Sequence, residues 1–145
     1  MRIAVLSDTH NRIPAHIPPL LKDADEIWHL GDVVDEGCLR SLEGLGRPLH
    51  VVRGNCDSYL GWPWIIDLER EGFFIRLTHI PPREAPPGID LLLHGHTHVP
   101  RNERVGEARF FNPGSLGKPN RIAPASYGWL ELIRGRLPRW KVVTL

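Results

Sequence analysis

"DLLLHGHTH", Asp90 to His98, sets an apolar run directly against two histidines spaced one residue apart. The run is short, leucine-rich and sharply bounded, so it reads as a largely buried strand. Paired histidines straight after a buried strand are costly without a use, because each ring nitrogen needs a partner. Four other runs end in the same manner: IAVLSD (Ile3 to Asp8), IWHLGD (Ile27 to Asp32), LHVVRGN (Leu49 to Asn55) and FIRLTH (Phe74 to His79). Together the five deliver Asp8 and His10, Asp32, Asn55, His79, and His96 with His98, at or just beyond strand carboxyl ends. In α/β sheets that is where ligands bind.

The segments between the first three runs are long enough for short helices. One is expected to open at Pro18 and Pro19, since proline suits a first turn. Another is expected over Cys38 to Leu45, where Leu39, Leu42 and Leu45 recur at spacing three. Strand, helix, strand, helix, strand argues for α/β with right-handed crossovers. The second half changes character. Gly106 lies between Arg101–Val105 and Ala108–Phe111, and Arg134-Gly135 lies between Tyr127–Ile133 and Leu137–Leu145, which predicts two hairpins. Ile80 to Gly88 holds four prolines, so it is a surface loop. The expected whole is one domain, residues 1–145, of two sheets packed face to face with helices outside.

The 145 residues suit one main core, and the formal net charge of +1 gives no field to attract a membrane or a nucleic acid backbone. No run of about 18 apolar residues exists, so no spanning helix is expected. The opening MRIAVLSDTHNR has too short an apolar stretch for a signal peptide. Cys38 and Cys56 do not form a CxxC pair and are expected to stay reduced in a cytoplasmic location.

Carboxylate oxygens, imidazole nitrogens and an amide oxygen are the donor types of a borderline divalent-metal site. Seven exceed the needs of one tetrahedral ion, whereas two ions sharing a carboxylate would use them all. Strand alternation would turn Asp8 and His10 to one side, and His96 and His98 likewise if extended. Gly31, Gly54 and Gly95 precede donors and permit close approach or positive φ. Each residue alone has a plainer reading: Asp8 or Asp32 as a helix cap, Asn55 as a turn residue, His79 as a hydrogen-bonded strand end. The ordered set is what those readings fail to explain.

Asp-x-His, Gly-Asp, Gly-Asn, His and Gly-His-x-His, in that order from Asp8 to His98, resemble the calcineurin-like metallophosphoesterase superfamily. The later NPGS, Asn112 to Ser115, is similar to its small bacterial and archaeal phosphodiesterase branch. The resemblance implies a four-layer αββα sandwich of two mixed sheets and a phosphoric ester hydrolase with a dinuclear centre. It implies Asp8, His10 and His98 around a first ion, Asn55, His79 and His96 around a second, and Asp32 bridging. Asp32, Asn55 and His79 are the expected catalytic core. Cys56, Asp57, Asp35, Asn112 and Ser115 are expected behind the donors or beside the substrate, with Asp35 favoured as a helix cap and Asn112 and Ser115 shaping the mouth. His29 and His94, inside apolar runs, are read as buried and hydrogen-bonded. The implied chemistry is in-line attack on phosphorus by a hydroxide held between two ions.

Two departures refine the expectation. Where the superfamily usually reads Gly-Asn-His, this chain has Cys56, a poorer proton donor than imidazolium. The phosphodiesterase branch often carries this cysteine, which implies diester substrates with good leaving groups over monoesters. The proline loop after His79 leaves no room for the helix the family usually has there. One helix is therefore expected to be missing, which leaves apolar area that a homodimer could cover. Manganese is the first choice of metal, with zinc, iron or nickel as alternatives. Other readings within the resemblance are a phosphomonoesterase, or a non-catalytic scaffold like the retromer subunit of this fold. The expected partner is a small phosphodiester, with no membrane and no stable nucleic-acid complex.

Overall fold

A computed structural model describes residues 1–145. Its strands are β1 (Arg2–Leu6), β2 (Glu26–His29), β3 (Leu49–Val51), β4 (Ile65–Arg70), β5 (Phe73–Thr78), β6 (Leu91–Leu93), β7 (Arg101–Val105), β8 (Ala108–Asn112), β9 (Ser126–Glu131) and β10 (Arg139–Thr144). They form two five-stranded sheets, in the orders β10-β9-β1-β2-β3 and β4-β5-β6-β8-β7. Both are mixed. In the first, β1, β2 and β3 are parallel and the β9–β10 hairpin adds antiparallel. In the second, β5, β6 and β8 are parallel, and β4 and β7 pair antiparallel at the edges.

Alternation along each strand builds the core. Ile3 and Val5 of β1 join Trp28, Ile75, Leu77, Leu91, Leu93 and Phe111 between the sheets. Ala4 and Leu6 face the other way, under Ile17, Leu21, Leu39 and Leu42. Burying each such large side chain stabilises the fold by roughly 1.5–3 kcal/mol before conformational entropy is counted. Trp140 stacks on Phe111 at 4.9 Å across the far end of the sandwich.

The helices are shorter than the sequence predicts. The first, α1 (Ile17–Leu20), is one turn with proline in its first positions. The second begins as a 3-10 turn, Glu36–Leu39, and continues as α2 (Arg40–Glu43), ending before Gly46 at φ +66°. Asp35 caps it, accepting the Gly37 N–H at 2.9 Å. Both pack on the first sheet. On the second sheet's outer face the proline loop stands in for a helix: Ala85 and Ile89 lie against Leu92, Ala108 and Phe110. Phe74 on that face stays 52 % exposed, beside the Arg76–Asp67 pair at 2.8 Å.

Strand β4 falls outside the apolar runs read from the sequence. It is an edge strand whose residues alternate between exposed and half-buried, so it carries no continuous apolar signal. No helix of the chain is long and apolar enough to cross a membrane.

Candidate metal centre

Parallel pairing brings the carboxyl ends of β1, β2 and β3 side by side, and face-to-face packing sets those of β5 and β6 opposite them. The loops that follow carry all seven predicted donors to one place. Asp8 and Asp32 are buried at 0 % and 3 % exposure, and His79 at 2 %. His98 Nε2 stands 3.0 Å from Asp8 Oδ1. Asp32 Oδ2 stands 3.6 Å from His10 Nε2 and 3.3 Å from His79 Nε2, between the two groups. Asn55 Oδ1 meets His96 Nδ1 at 3.1 Å, and the His96 ring lies 5.2 Å from that of His79.

The backbone reaches this arrangement by a route the sequence did not show. Asp8, His10, Asp32, His96 and His98 all have left-handed backbones, with φ between 43° and 70°. Asp8 with His10, and His96 with His98, therefore converge through tight turns rather than by strand alternation. For residues with a Cβ this conformation costs on the order of 1 kcal/mol or more each, and such strain gathers at functional sites. Asn11, at φ 63°, takes the left-handed turn its side chain tolerates.

Hydrogen bonds hold the turns. Buried Asp57 accepts three backbone N–H groups: Asp32 at 2.9 Å, Val34 at 2.6 Å and Gly54 at 2.7 Å. It thus ties the Asp32 loop to the Asn55 loop and holds Val34 at φ 77°, an unusual value for a β-branched residue. At Gly54 a side chain would collide with Asp32, so the two loops meet backbone to carboxylate. Cys56 donates its N–H to Asp32 Oδ1 at 2.9 Å, which leaves Oδ2 facing the histidines.

Asn112 and Ser115 do not shape the mouth. Both are fully buried. Asn112 donates to Gly95 O and Thr97 Oγ1, each at 3.0 Å, and so props the His96–His98 loop from beneath. Ser115 donates to Asp8 O at 2.9 Å. Asp35 serves as the helix cap and is exposed. His29 and His94 are buried braces: His29 Nδ1 accepts the Gly31 N–H at 3.2 Å and Nε2 meets Thr9 Oγ1 at 3.0 Å. Burial pushes His29 down to about 3 and His94 down to about 4.

The donor atoms fit a metal ion on their own chemistry. Asp8 Oδ1, His10 Nε2 and His79 Nε2 are buried and have no hydrogen bond, although such groups are nearly always paired. His79 Nδ1 donates to Leu30 O at 2.7 Å, so Nε2 presents a lone pair to the carboxylates. The donors of Asp8, His10 and His98 lie within 4.8 Å of one another, and so do those of Asp8, Asp32 and His79. Burial pushes the Asp8 carboxyl up, as expected of a group short of positive charge. Burial acts on Asp32 the same way, but the His79 ring, which is protonated beside it when no metal takes its Nε2, and the Cys56 N–H outweigh it and hold that carboxyl well below its usual range.

This constellation has counterparts. A family model described as the calcineurin-like phosphoesterase superfamily domain matches residues 1–135. The chain belongs to that superfamily. Among curated members of the superfamily, it is 34 % identical to the phosphodiesterase YfcE of Escherichia coli K12, over 90 % of this chain and 88 % of that protein. It is 32 % identical to a probable metallophosphoesterase of Methanothermobacter thermautotrophicus, over 86 % of this chain and 83 % of that one. The solved structure of YfcE superposes with a TM-score of 0.73 over 90 % of this chain and 88 % of that chain. Vps29 of Entamoeba histolytica complexed with zinc superposes at 0.78, over 99 % of this chain and 98 % of that chain. At 22 % identity that likeness speaks for the fold alone. The calcineurin-like fold, a metal-dependent phosphoesterase activity and a divalent-metal requirement are thus properties of this chain.

Proposed function

We propose that this metallophosphoesterase hydrolyses small phosphodiesters with two divalent ions per chain. The carrying observation is Asp32 Oδ2, set between His10 Nε2 and His79 Nε2 while Oδ1 is occupied by the Cys56 N–H. Asp8, His10 and His98 would hold one ion, Asn55, His79 and His96 the other, and Asp32 both. Bound there, two ions supply an acidified water for in-line attack on phosphorus and positive charge for the phosphoryl oxygens. Manganese heads the candidates, followed by zinc, iron and nickel.

The protein's own residues hold the geometry and choose the substrate. His79 keeps its Nε2 lone pair inward through its bond to Leu30 O. Cys56 is exposed beside Asp32, and burial together with the Asp32 charge pushes its thiol up. It stays a thiol at neutral pH and transfers a proton poorly to a departing alkoxide. Diesters with acidic leaving groups need no such donor, and they are the favoured class. The similarity to YfcE, a named phosphodiesterase, supports the same reading.

The test is turnover of bis(4-nitrophenyl) phosphate against 4-nitrophenyl phosphate with added manganese. The diester should be the better substrate, and Cys56→His should narrow the gap. Faster monoester turnover at neutral pH by the unmodified protein would overturn the diester preference. No turnover of either with any divalent metal would favour a scaffold role.

A further inference from the structure

The peptide unit that joins Gly95 to His96 is gripped at both ends. Its carbonyl, Gly95 O, accepts from His94 Nδ1 at 2.9 Å and from Asn112 Nδ2 at 3.0 Å. Its N–H, on His96, donates to Asp8 Oδ2 at 3.1 Å. Ser7 Oγ donates to the same oxygen at 2.6 Å, so Oδ2 is occupied and Oδ1 is the atom without a hydrogen bond. The fit is tight: a Cβ on Gly95 would overlap Ser7 Oγ and crowd Asp8 Oδ2. The orientation of this one peptide therefore helps to decide which oxygen of Asp8 is offered to an ion.

The grip depends on the tautomer of His94. The ring is buried, at 1 % exposure, and Nδ1 donates to Gly95 O only when it carries the proton. On the ring's other side, Arg101 Nη1 stands 3.3 Å from His94 Nε2. A guanidinium donates and never accepts, so Nε2 takes the accepting role and the one ring proton goes to Nδ1. Asn112 Nδ2 also lies 3.4 Å from Nδ1, but its two N–H groups are used at 3.0 Å on Gly95 O and Thr97 Oγ1. Arg101 is itself fixed. Its Nε donates to Glu103 Oε2 at 2.8 Å, and its guanidinium lies 4.9 Å from the centroid of the Phe110 ring. It stands on β7, an edge strand, and is not one of the seven donors.

We propose that Arg101 is a positioning residue of the metal centre and acts through His94. It dictates the Nδ1–H tautomer of His94, which holds the Gly95–His96 peptide with its N–H on Asp8 Oδ2 and leaves Oδ1 to the ion. The inference rests on the reading of Asp8 as a metal donor and adds the residue that orients it from the second sheet. Without the arginine, the ring is free to carry its proton on Nε2. Nδ1 would then turn a lone pair toward Gly95 O, and the peptide would loosen together with its bond to Asp8.

The experiment compares Arg101→Met and Arg101→Lys with the unmodified protein. Methionine keeps an apolar contact with Phe110 and removes the donor, whereas lysine keeps an N–H, and His94 Nε2 receives only one. Nitrogen-15 spectra of the imidazoles read the tautomer directly. They are taken on zinc-loaded protein, because zinc is diamagnetic, with His94→Gln to assign the ring. The unmodified protein should carry the His94 proton on Nδ1 alone. Arg101→Met should shift it to Nε2, and the Kd for manganese, read by titration calorimetry, should rise about five-fold. That is less than the loss of about 10- to 100-fold typical of a group bonded directly to a ligand. Arg101→Lys should keep the Nδ1 proton and most of the affinity. An unchanged tautomer in Arg101→Met would overturn the proposal even where manganese binding weakens, since the loss would then bypass His94. So would an unchanged manganese affinity, or a lysine variant no better than the methionine one. Unmodified protein that binds neither manganese nor zinc would overturn the metal reading itself, and this inference with it.

Discussion

The centre has a half that holds every oxygen donor and a half of imidazoles alone, and the two are built differently. The first sheet supplies all the oxygen donors, Asp8, Asp32 and Asn55, with His10 beside them, from loops bound to one another by Asp57, by Cys56 N–H and by direct backbone contacts such as Asp8 N to Gly31 O at 3.0 Å. The second supplies His79, His96 and His98, and of these only His79 is deeply buried. The His96–His98 loop rests on Asn112 from beneath, and it meets the other half through His96 N to Asp8 Oδ2 at 3.1 Å and through its two imidazoles, which face Asn55 Oδ1 at 3.1 Å and Asp8 Oδ1 at 3.0 Å. Charge explains the asymmetry. Two buried carboxylates repel unless their positions and partners are fixed, whereas neutral imidazoles tolerate some play.

The sharpest way to break the comparison is at Asp32, the carboxylate proposed to serve both ions. Asp32→Asn should lose metal and cut diester turnover about 10³-fold, checked by elemental analysis beside the rate. Retained activity with two ions bound would remove Asp32 from the bridging position. Asp57 comes next. Asp57→Ala leaves three buried N–H groups without an acceptor, so it should lower stability by about 3 kcal/mol or more, read from urea unfolding. It should also weaken manganese binding about 10- to 100-fold while leaving every donor in place.

The most gradual effect concerns pH, with one histidine from each half. His29 braces the Asp32 turn and His94 the His96 loop, and burial depresses both from 6.5, to about 3 and about 4. The unfolded chain therefore binds more protons than the folded one below about 6.5. Stability falls as pH drops from 6.5 toward 4, each histidine contributing about 1.4 kcal/mol per pH unit. The contribution of His94 levels off near 4 and that of His29 near 3. His29→Gln and His94→Gln should each reduce the slope by about one proton in unfolding measured across pH 4–6.5. An unchanged slope would mean that the ring is already charged in the fold.

The donors were legible in the sequence because strand ends are legible. Apolar runs stop where the chain leaves the core, and the polar residues that follow must sit at the sheet's carboxyl edge. Their order then resembled a known family. The turns were not legible. Alternation set Asp8 beside His10 and His96 beside His98 for a reason that does not hold, since the left-handed backbones do the work. The resemblance put Asn112 and Ser115 at the mouth, with a plain turn as the other reading of NPGS, and neither describes them. Their partners lie far off in sequence, as with Ser115 and Asp8, and no local pattern announces them. Asp57 was expected near the site, but its three long-range N–H partners give it a purpose that spacing alone does not show. The missing helix was legible from prolines, while β4 was hidden by its exposed alternation.

The central claim is that two ions, shared through Asp32, act together on a diester. Metal-stripped protein titrated with manganese, following bound metal per chain and bis(4-nitrophenyl) phosphate turnover in the same samples, tests it most directly. Turnover should stay low through the first equivalent and rise with the second. Full turnover at one ion per chain would contradict the account.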